Sequence, residues 1–281
     1  MIKYLVIGDP IGHSRSPGMQ NAAFEACGLG RPYGIRRVAR EELPDFFEFA
    51  RTHLSGVNLT VPHKTMAAEL VDEISPGAEE CGSVNTLVIA DGRIRGDSTD
   101  GVGLERALRE VFHLGVSGKR VLFCGAGGAA RATAVHLARC GAREVNFINR
   151  TVEKAETLAA LCRRAVPAVE CECASPRDEA AARAMLERAD VLIQATSLGL
   201  KPDDPPPFPL EWLRPGMPLC IFDTIYHPTP LQKYAAAAGI ACAGGKEMLI
   251  HQGAASFTLW TGLPAPLEAM RRGFEEGTPG Q

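Results

Sequence analysis

The run Val121-Leu122-Phe123-Cys124-Gly125-Ala126-Gly127-Gly128-Ala129-Ala130 is the clearest fold signal in the chain. An apolar run of strand length passes directly into a glycine-rich turn, and a helix-forming segment follows. This order predicts a Rossmann-type strand–turn–helix unit with Ala130 at the third glycine position. Gly125 permits the tight turn, and Gly127 lets the backbone approach a pyrophosphate, which the N–H groups of the helix N-terminus can bind. The pattern predicts a dinucleotide site that includes Gly125, Ala126, Gly127, Gly128 and Ala129.

Short apolar runs alternate with helical segments on both sides of this turn. The predicted strands are residues 4–8, 33–38, 57–61, 121–124, 144–148, 191–195 and 220–223, with a hairpin of residues 86–90 and 93–96 around Asp91-Gly92. This alternation predicts an α/β fold with two doubly wound, largely parallel domains, the second of Rossmann type, and a cleft between the domains. We expect a substrate-binding, catalytic α/β domain at residues 1–103, a nucleotide-binding domain at 104–238, and a C-terminal helical segment at 239–281 that packs back on the first domain.

Composition excludes several classes of protein. The 281 residues include 30 Lys and Arg against 33 Asp and Glu, a net charge of −3 that excludes a strongly basic nucleic-acid-binding protein. No apolar run approaches the ~20 residues that a membrane-spanning helix needs, and the first residues lack the pattern of a secretory signal. The nine cysteines are scattered and odd in number, which favours free thiols over a disulfide framework. We expect a cytoplasmic protein that binds neither nucleic acid nor a membrane.

The residues after the predicted strand 144–148 indicate which dinucleotide binds. NAD enzymes usually have a carboxylate ~20 residues after the glycine-rich turn, where it accepts hydrogen bonds from the ribose 2′-hydroxyl. Here Asn149-Arg150-Thr151 follows the strand, and Lys154 comes one turn later. Two cations and two polar groups favour a 2′-phosphate, so we expect NADP, bound by Asn149, Arg150, Thr151 and Lys154. The alternative, that Arg150 and Lys154 are only a solvated helix start, is weakened because positive charge is unfavourable near a helix N-terminus.

Polar residues in the first domain follow predicted strands, where open α/β sheets place their ligands. Ser14 and Ser16 can offer two hydroxyls to an anionic oxygen, although serines in loops are more often turn formers. Lys64 follows a buried strand, so it can be held desolvated for proton transfer, although most lysines are solvent-exposed. Asp100 is its natural carboxylate partner.

Four histidines raise the alternative of a metal site: His13, His63, His227 and His251. Their spacing does not resemble that of a ligand set, and the close pair Cys171 and Cys173 lacks the second pair of a structural zinc site. The sequence therefore predicts no metal.

In this order and spacing, the motifs resemble those of the shikimate dehydrogenase family over nearly the whole chain. The matching stretches are the loop with Ser14 and Ser16, residues 58–64 (Asn-Leu-Thr-Val-Pro-His-Lys), 83–87 (Ser-Val-Asn-Thr-Leu), 98–101, 125–130, 149–151, 195–199 (Ala-Thr-Ser-Leu-Gly), Tyr226 with Thr229-Pro230-Leu231, and Gly245 with Met248, Leu249 and Gln252. Each stretch is common alone, but the series is specific. The resemblance implies the reversible, NADPH-dependent reduction of 3-dehydroshikimate to shikimate, a step of aromatic amino-acid biosynthesis towards chorismate.

The resemblance also implies a role for each matching residue. Lys64 and Asp100 would be the catalytic pair. The substrate carboxylate would be bound by Ser14, Ser16 and Tyr226, and the substrate hydroxyls by Asn58, Thr60, Asn85, Asp100 and Gln252. Besides the glycine-rich turn and the segment at 149–154, the cofactor would contact Thr196, Ser197, Thr224 and Gly245.

Two positions depart from the family pattern: Ser98 stands where the family usually has Asn, and Gln20 where many members have His. Because Ser98 adjoins Asp100, the hydroxyl pattern that the site recognises can differ from that of shikimate. A quinate/shikimate dehydrogenase, or a paralogue that acts on a related cyclic hydroxy acid, is therefore an alternative. A non-catalytic sensor that binds NADPH and a hydroxy acid is another, and the presence of both Lys64 and Asp100 argues against it. The sequence leaves a monomer and a homodimer both open.

Overall fold

The structure, a computed structural model, describes residues 2–201 and 203–277. The chain divides into two compact units, one formed by residues 1–103 and 249–281 and the other by residues 104–248. Each unit contains a six-stranded sheet. Among the described residues, no helix is both long and apolar enough to cross a membrane.

Helices and strands alternate along most of the chain, as predicted. The first part contains β1 (Tyr4–Gly8), α1 (Ser16–Ala26), β2 (Tyr33–Arg37), α2 (Leu43–His53), β3 (Gly56–Leu59), α3 (Lys64–Leu70), β4 (Glu73–Ile74), α4 (Pro76–Cys81), β5 (Thr86–Ala90), β6 (Arg93–Asp97) and α5 (Asp100–Phe112). There follow β7 (Arg120–Cys124), α6 (Gly128–Arg139), β8 (Glu144–Ile148), α7 (Val152–Ala165), β9 (Cys173–Ala174), α8 (Glu179–Arg188), β10 (Val191–Gln194), a 3-10 turn (Leu210–Trp212), β11 (Cys220–Asp223), α9 (Pro230–Ala237), β12 (Ala241–Ala243), α10 (Lys246–Thr261) and α11 (Leu267–Glu276).

The first sheet has the strand order β2-β1-β3-β5-β6-β4 and is mixed. β1 pairs in parallel with β2 and β3, but β5 is antiparallel to both β3 and β6. The pairing of β5 with β6 is the predicted hairpin, in which Asp91 and Gly92 have positive φ values of 50° and 72°. That backbone forms a two-residue turn, which joins antiparallel strands. The expectation of a largely parallel first sheet is therefore corrected: only part of this sheet is parallel.

Helices pack on both faces of the first sheet. Leu5 and Ile7 of β1 lie in one apolar cluster with Phe47 of α2, whereas Val6 lies in another with Phe24 of α1. Successive side chains of a strand point to opposite faces of the sheet, so both faces of β1 are buried. This confirms the doubly wound arrangement that the alternation of elements predicts.

The second sheet has the order β12-β11-β10-β7-β8-β9, and all its strands are parallel. This confirms the predicted Rossmann-type fold, whose strand order reverses at β7 and β10, the point where such sheets bind ligands. β12 pairs with β11, so the structure places residues 239–248 in the second unit and not with the C-terminal segment. The run Ala-Cys-Ala at 241–243 is too short to show a strand period in the sequence.

Candidate active site

Lys64 and Asp100 form an ion pair in the first unit. Lys64 is the first residue of α3, and Asp100 is the first residue of α5. The Lys64 ammonium donates to Asp100 Oδ2 at 2.5 Å, and the two side chains are only 15% and 6% exposed. Partial exclusion of water strengthens the attraction between the charges and restricts the ammonium to one orientation. The structure thus brings together the two residues that the sequence paired.

Asn85 holds the Asp100 carboxylate from the other side. Its Nδ2 donates to Asp100 Oδ1 at 2.9 Å, to Thr99 Oγ1 at 3.0 Å and to Gln252 Oε1 at 3.3 Å. The backbone N–H of Thr99 donates to Asn85 Oδ1 at 2.8 Å, which fixes the end of the amide that faces Asp100. One carboxylate oxygen therefore contacts Asn85, and the other contacts Lys64.

Asn58, on β3, makes its hydrogen bonds inside the first unit. Tyr33 Oη donates to Asn58 Oδ1 at 2.7 Å, and Asn58 Nδ2 donates to Ser256 Oγ at 3.0 Å and to Thr86 Oγ1 at 3.2 Å. Asn58 is also buried. Its amide hydrogens thus have acceptors in the protein itself. The substrate contact that the family resemblance implies for Asn58 remains a prediction.

Sequence reasoning missed four hydroxyl-bearing residues of this group: Tyr33, Thr86, Thr99 and Ser256. Thr86 and Thr99 adjoin predicted site residues in the sequence, which was an available signal. Ser256 lies one helical turn after Gln252 on α10, and such residues share a helix face. No sequence feature connects Tyr33 to the site.

The serines predicted to bind a carboxylate lie at the N-terminus of α1. Ser16 is the first residue of that helix, and its backbone N–H donates to Ser14 Oγ at 3.3 Å. The N–H groups and dipole of a helix N-terminus favour an anion, which agrees with the predicted ligand. Thr60 follows β3 and is half-buried. Tyr226 belongs to the second unit, where it follows β11 and is 36% exposed.

His63, the neighbour of Lys64, is buried in a state that favours the neutral ring. Its Nε2 lies 2.9 Å from the carbonyl oxygen of Val38, which can only accept, so Nε2 carries the proton. Its Nδ1 has no hydrogen-bond partner among the residues that the structure describes. Burial lowers the pKa of His63, against weaker opposing effects of the Val38 hydrogen bond and the Asp9 charge. A second proton would therefore enter a buried nitrogen without an acceptor.

We expect acid to destabilise the folded protein through His63. Because its folded-state pKa is below the ordinary value of ~6.5, the unfolded chain binds this proton first. The contribution of neutral His63 to the free energy of unfolding is then complete above about pH 6.5, and it decreases as the pH drops towards the folded-state pKa. His63→Gln keeps a donor for Val38 but cannot titrate, so its unfolding temperature should fall less between roughly pH 7.5 and pH 5 than that of the wild type. Equal decreases would show that His63 takes up no proton on unfolding.

The glycine-rich turn of the second unit has the geometry that the sequence predicts. Gly125 has a φ of +105°, and a Cβ there would lie 2.8 Å from the carbonyl oxygen of Ala195. Its backbone N–H donates to Ile148 O at 2.9 Å, which joins the turn to the end of β8. Gly127 is the N-cap of α6, and no described atom lies within 4 Å of the place where its Cβ would be. The N–H groups at the start of α6 are thus open to a pyrophosphate, which fits NADP.

The residues predicted to bind the 2′-phosphate lie between β8 and the first turn of α7. Asn149 Nδ2 donates to Thr151 O at 2.6 Å, and Thr151 is the N-cap of α7. Arg150 and Lys154 are exposed, as is Glu153 in the same turn. The two cations therefore lie where the adenosine ribose binds in a fold of this type.

The other predicted cofactor residues follow neighbouring strands of the second sheet. Thr196 and Ser197 follow β10, Thr224 follows β11, and Gly245 follows β12. A Cβ on Gly245 would lie 2.1 Å from the carbonyl oxygen of Thr224, so only glycine fits at this position. The carboxyl ends of parallel strands meet at one edge of the sheet, so these residues lie at the same edge as the glycine-rich turn.

Comparisons with known proteins match this chain along nearly its whole length. Three family descriptions match: the shikimate dehydrogenase substrate binding domain at residues 6–87, shikimate / quinate 5-dehydrogenase at residues 106–199, and the shikimate 5′-dehydrogenase C-terminal domain at residues 245–272. The shikimate dehydrogenase (NADP(+)) of Symbiobacterium thermophilum is 39% identical over 280 residues, which cover 98% of this chain and 94% of that relative.

Solved structures give the same result. Shikimate 5-dehydrogenase from Thermus thermophilus, in complex with NADP(H) and shikimate, is 33% identical, with a TM-score of 0.85 over 99% of this chain and 100% of that one. Quinate dehydrogenase from Corynebacterium glutamicum, in complex with NAD, is 29% identical, with a TM-score of 0.85 over 98% of both chains. On these matches, the chain belongs to the shikimate dehydrogenase family.

Proposed function

We propose that this chain catalyses the reversible, NADP-dependent reduction of 3-dehydroshikimate to shikimate, a step of aromatic amino-acid biosynthesis towards chorismate. The main support is the Lys64–Asp100 ion pair, in which Asp100 is buried and Lys64 half-buried, in a chain related to enzymes named shikimate dehydrogenase (NADP(+)). All nine cysteines lie at described positions as free thiols, which fits a reducing compartment. We therefore place the enzyme in the cytoplasm.

The Lys64–Asp100 pair supplies the proton chemistry of the reduction. NADPH, when bound, supplies the hydride. Reduction of the ketone carbon builds negative charge on the carbonyl oxygen, which the Lys64 ammonium stabilises and protonates. Asp100 keeps that ammonium in place through Oδ2 and can accept a hydrogen bond from a neighbouring substrate hydroxyl. In the direction of oxidation, neutral Lys64 takes the hydroxyl proton from shikimate.

Substrate and cofactor are assigned to separate sets of residues. Ser14, Ser16 and Tyr226 would bind the substrate carboxylate, and Thr60, Asn85 and Gln252 its hydroxyls. The cofactor pyrophosphate is assigned to the start of α6, because the space beside the Gly127 backbone is open and the N–H groups of a helix N-terminus bind anions. A substrate without one of the recognised hydroxyls would leave a buried polar group without a partner, which gives strong selectivity.

A single assay tests the proposed function. Purified protein is mixed with NADP and shikimate, and the absorbance of the reduced nicotinamide is recorded, with quinate and NAD in parallel reactions. Rapid reduction of NADP with shikimate supports the proposal. Binding of NADP and shikimate without turnover would instead support the sensor alternative, and turnover with quinate alone would overturn the substrate assignment.

Quinate remains the specific alternative because of Ser98. Ser98 follows β6, its backbone N–H donates to Asp97 Oδ1 at 2.8 Å, and the Cys81 thiol lies 3.8 Å from its hydroxyl. It is half-buried and two residues from Asp100. The family's usual Asn at this position would place an amide donor and acceptor two residues before Asp100.

We expect Ser98→Asn to shift the ratio of kcat/KM for shikimate to that for quinate by ~2–10-fold, the worth of one gained or lost hydrogen bond. Ser98→Ala is the matched control, because it removes the hydroxyl without adding an amide. The kinetic constants of wild type and both variants are measured with each substrate at saturating NADP. An unchanged ratio in Ser98→Asn would mean that this residue serves only the turn after β6.

A further inference from the structure

We propose that Tyr33 is a positioning residue for the Lys64–Asp100 pair and acts through a buried hydrogen-bond network. The network consists of Tyr33, Asn58, Thr86, Asn85 and Asp100, and we name it the Tyr33–Asp100 network. Its hydrogen bonds run in one direction, with each group donating to the next group on the way to the carboxylate. The inference rests on the proposed function, in which Lys64 and Asp100 perform the proton transfer.

The orientation of the Asn58 amide is determined by its partners. Asn58 Nδ2 lies 3.3 Å from the backbone carbonyl oxygen of Asn85, which can only accept a hydrogen bond. The NH₂ group must therefore be on this side, and Asn58 Oδ1 must face Tyr33. Since an amide oxygen cannot donate, the Tyr33 hydroxyl donates its proton across the 2.7 Å contact.

The next links follow by the same argument. Asn85 Oδ1 accepts from the backbone N–H of Thr99, so it also accepts from Thr86 Oγ1 at 3.0 Å. Having donated to Asn85, the Thr86 hydroxyl accepts from Asn58 Nδ2 at 3.2 Å. The other end of the Asn85 amide then donates to Asp100 Oδ1 at 2.9 Å. The orientations of both amides are thus determined by their partners. The Thr86 hydroxyl has a second acceptor within reach, Ser256 Oγ at 2.8 Å, and the proposed network is the arrangement in which it donates to Asn85.

Burial makes the links depend on one another. Tyr33, Asn58, Thr86 and Asn85 are each at most 6% exposed, so bulk water cannot replace a lost partner. Without the Tyr33 hydroxyl, the Oδ1 atom of Asn58 loses its donor, and an unpaired buried acceptor is costly. The Asn58 amide is then no longer held in one orientation. Its reorientation would disturb the Thr86 hydroxyl and, through that hydroxyl, the Asn85 amide that donates to Asp100. A carboxylate that is free to rotate holds the Lys64 ammonium less well.

Tyr33 is held in place by backbone and ring contacts that do not involve its hydroxyl. The Asn21 side chain bonds both the backbone carbonyl and the backbone N–H of Tyr33, at 2.8 and 3.0 Å. The ring also packs near Trp260, with 6.0 Å between the ring centroids. Tyr33→Phe therefore keeps the fold of this region and removes only the donor. Tyr4→Phe is a matched control, because the Tyr4 ring packs on the same Trp260 at 5.0 Å and its residue lies outside the network.

Steady-state kinetics of these variants test the proposal. Tyr33→Phe should lower kcat by ~3–10-fold, the rate equivalent of one hydrogen bond, and should leave the KM values for shikimate and NADP within about twofold. Thr86→Val breaks the network one link nearer to Asp100 and should lower kcat by at least ~10-fold, whereas Thr86→Ser keeps the hydroxyl and should restore most of the rate. Tyr4→Phe should not change kcat.

A double-variant comparison separates positioning from a general loss of structure. In an Asp100→Asn background the network no longer ends on a carboxylate, so adding Tyr33→Phe should leave the residual kcat unchanged. A further decrease equal to that in the wild type would overturn the proposal, as would a Tyr33→Phe enzyme with the wild-type kcat.

A crystal structure gives a readout that does not depend on turnover. In Tyr33→Phe and Thr86→Val, the Asn85 amide should leave hydrogen-bond distance of Asp100 Oδ1 or show two orientations. If both variants keep the 2.9 Å contact of the wild type, the positioning role is wrong whatever the kinetics show. A wild-type protein that fails to oxidise shikimate would overturn the proposed function instead, and the crystallographic result would still decide whether the network orients Asp100.

Discussion

Lys64→Ala should lower kcat for shikimate oxidation by roughly 10²–10⁴, the usual contribution of a positioned acid–base group. The structure of Lys64 suits this chemistry: its side chain is 15% exposed, its ammonium contacts a buried carboxylate, and the residue follows a buried strand. Alanine leaves no base to take the hydroxyl proton of shikimate in this direction, and no acid to protonate the alkoxide in the reverse reduction. The affinity for NADP, whose site we propose in the second unit, should change much less.

One control variant and the choice of assay temperature make this result specific. Lys3→Ala removes an exposed lysine from the same unit and should leave kcat unchanged. Because Lys64→Ala leaves the Asp100 carboxylate buried without its partner, it also destabilises the fold, so kcat must be measured below the unfolding temperature of the variant. A Lys64→Ala enzyme with half of the wild-type turnover would remove Lys64 from the mechanism.

Local sequence patterns were sufficient to predict much of the fold. The predicted bounds of the second strand of the nucleotide-binding unit, 144–148, agree with β8. β8 reads Glu-Val-Asn-Phe-Ile, and polar and apolar residues alternate over its first four positions, which is the period of a strand. The hairpin at 86–97 was predicted as well, because Asp-Gly is a strong signal for a two-residue turn.

The elements that were missed are short or depend on distant partners. β4 and β9 have two residues each, too few to show the repeated alternation that identifies a strand in a sequence. The mixed pairing of the first sheet was missed for a different reason. The hairpin determines that β5 and β6 are antiparallel, but its position next to β3 is fixed by tertiary packing and by no local signal.

The residues of the candidate site also fall into those that the sequence identified and those that it missed. Lys64, Asn85 and Asp100 could be identified because each stands in a recognisable segment at the end of a strand. Tyr33 could not, since its contribution is a hydroxyl that points at Asn58 only after β2 and β3 have both paired with β1. Residues that act through another residue have no motif of their own, because any donor of suitable length would serve if the fold placed it there.

Arg150→Ala should weaken NADP binding by ~10–150-fold, the equivalent of one charge-assisted hydrogen bond of roughly 1.5–3 kcal/mol. The binding of NAD should be almost unchanged, because NAD has no 2′-phosphate for the guanidinium to contact. Lys154 lies in the first turn of α7, which begins two residues after Arg150, and can compensate in part as a flexible point charge, so we expect a value near the lower end. Asn149→Asp should discriminate further against NADP, since it adds repulsion against the phosphate and an acceptor for the ribose hydroxyl.

The structure shows why Arg150→Ala is the cleaner of the two variants. Asn149 donates to Thr151 O at 2.6 Å, so an aspartate there would face a carbonyl oxygen and disturb the turn that positions both cations. The Arg150 side chain is exposed, and its loss removes charge without a change in packing. Arg183→Ala on α8 is the matched control, because it removes another exposed arginine of the same unit. The KM values for NADP and NAD at a fixed shikimate concentration decide the matter: if Arg150→Ala raises both equally, or if the wild type already prefers NAD, then the positive charge after β8 does not recognise a 2′-phosphate.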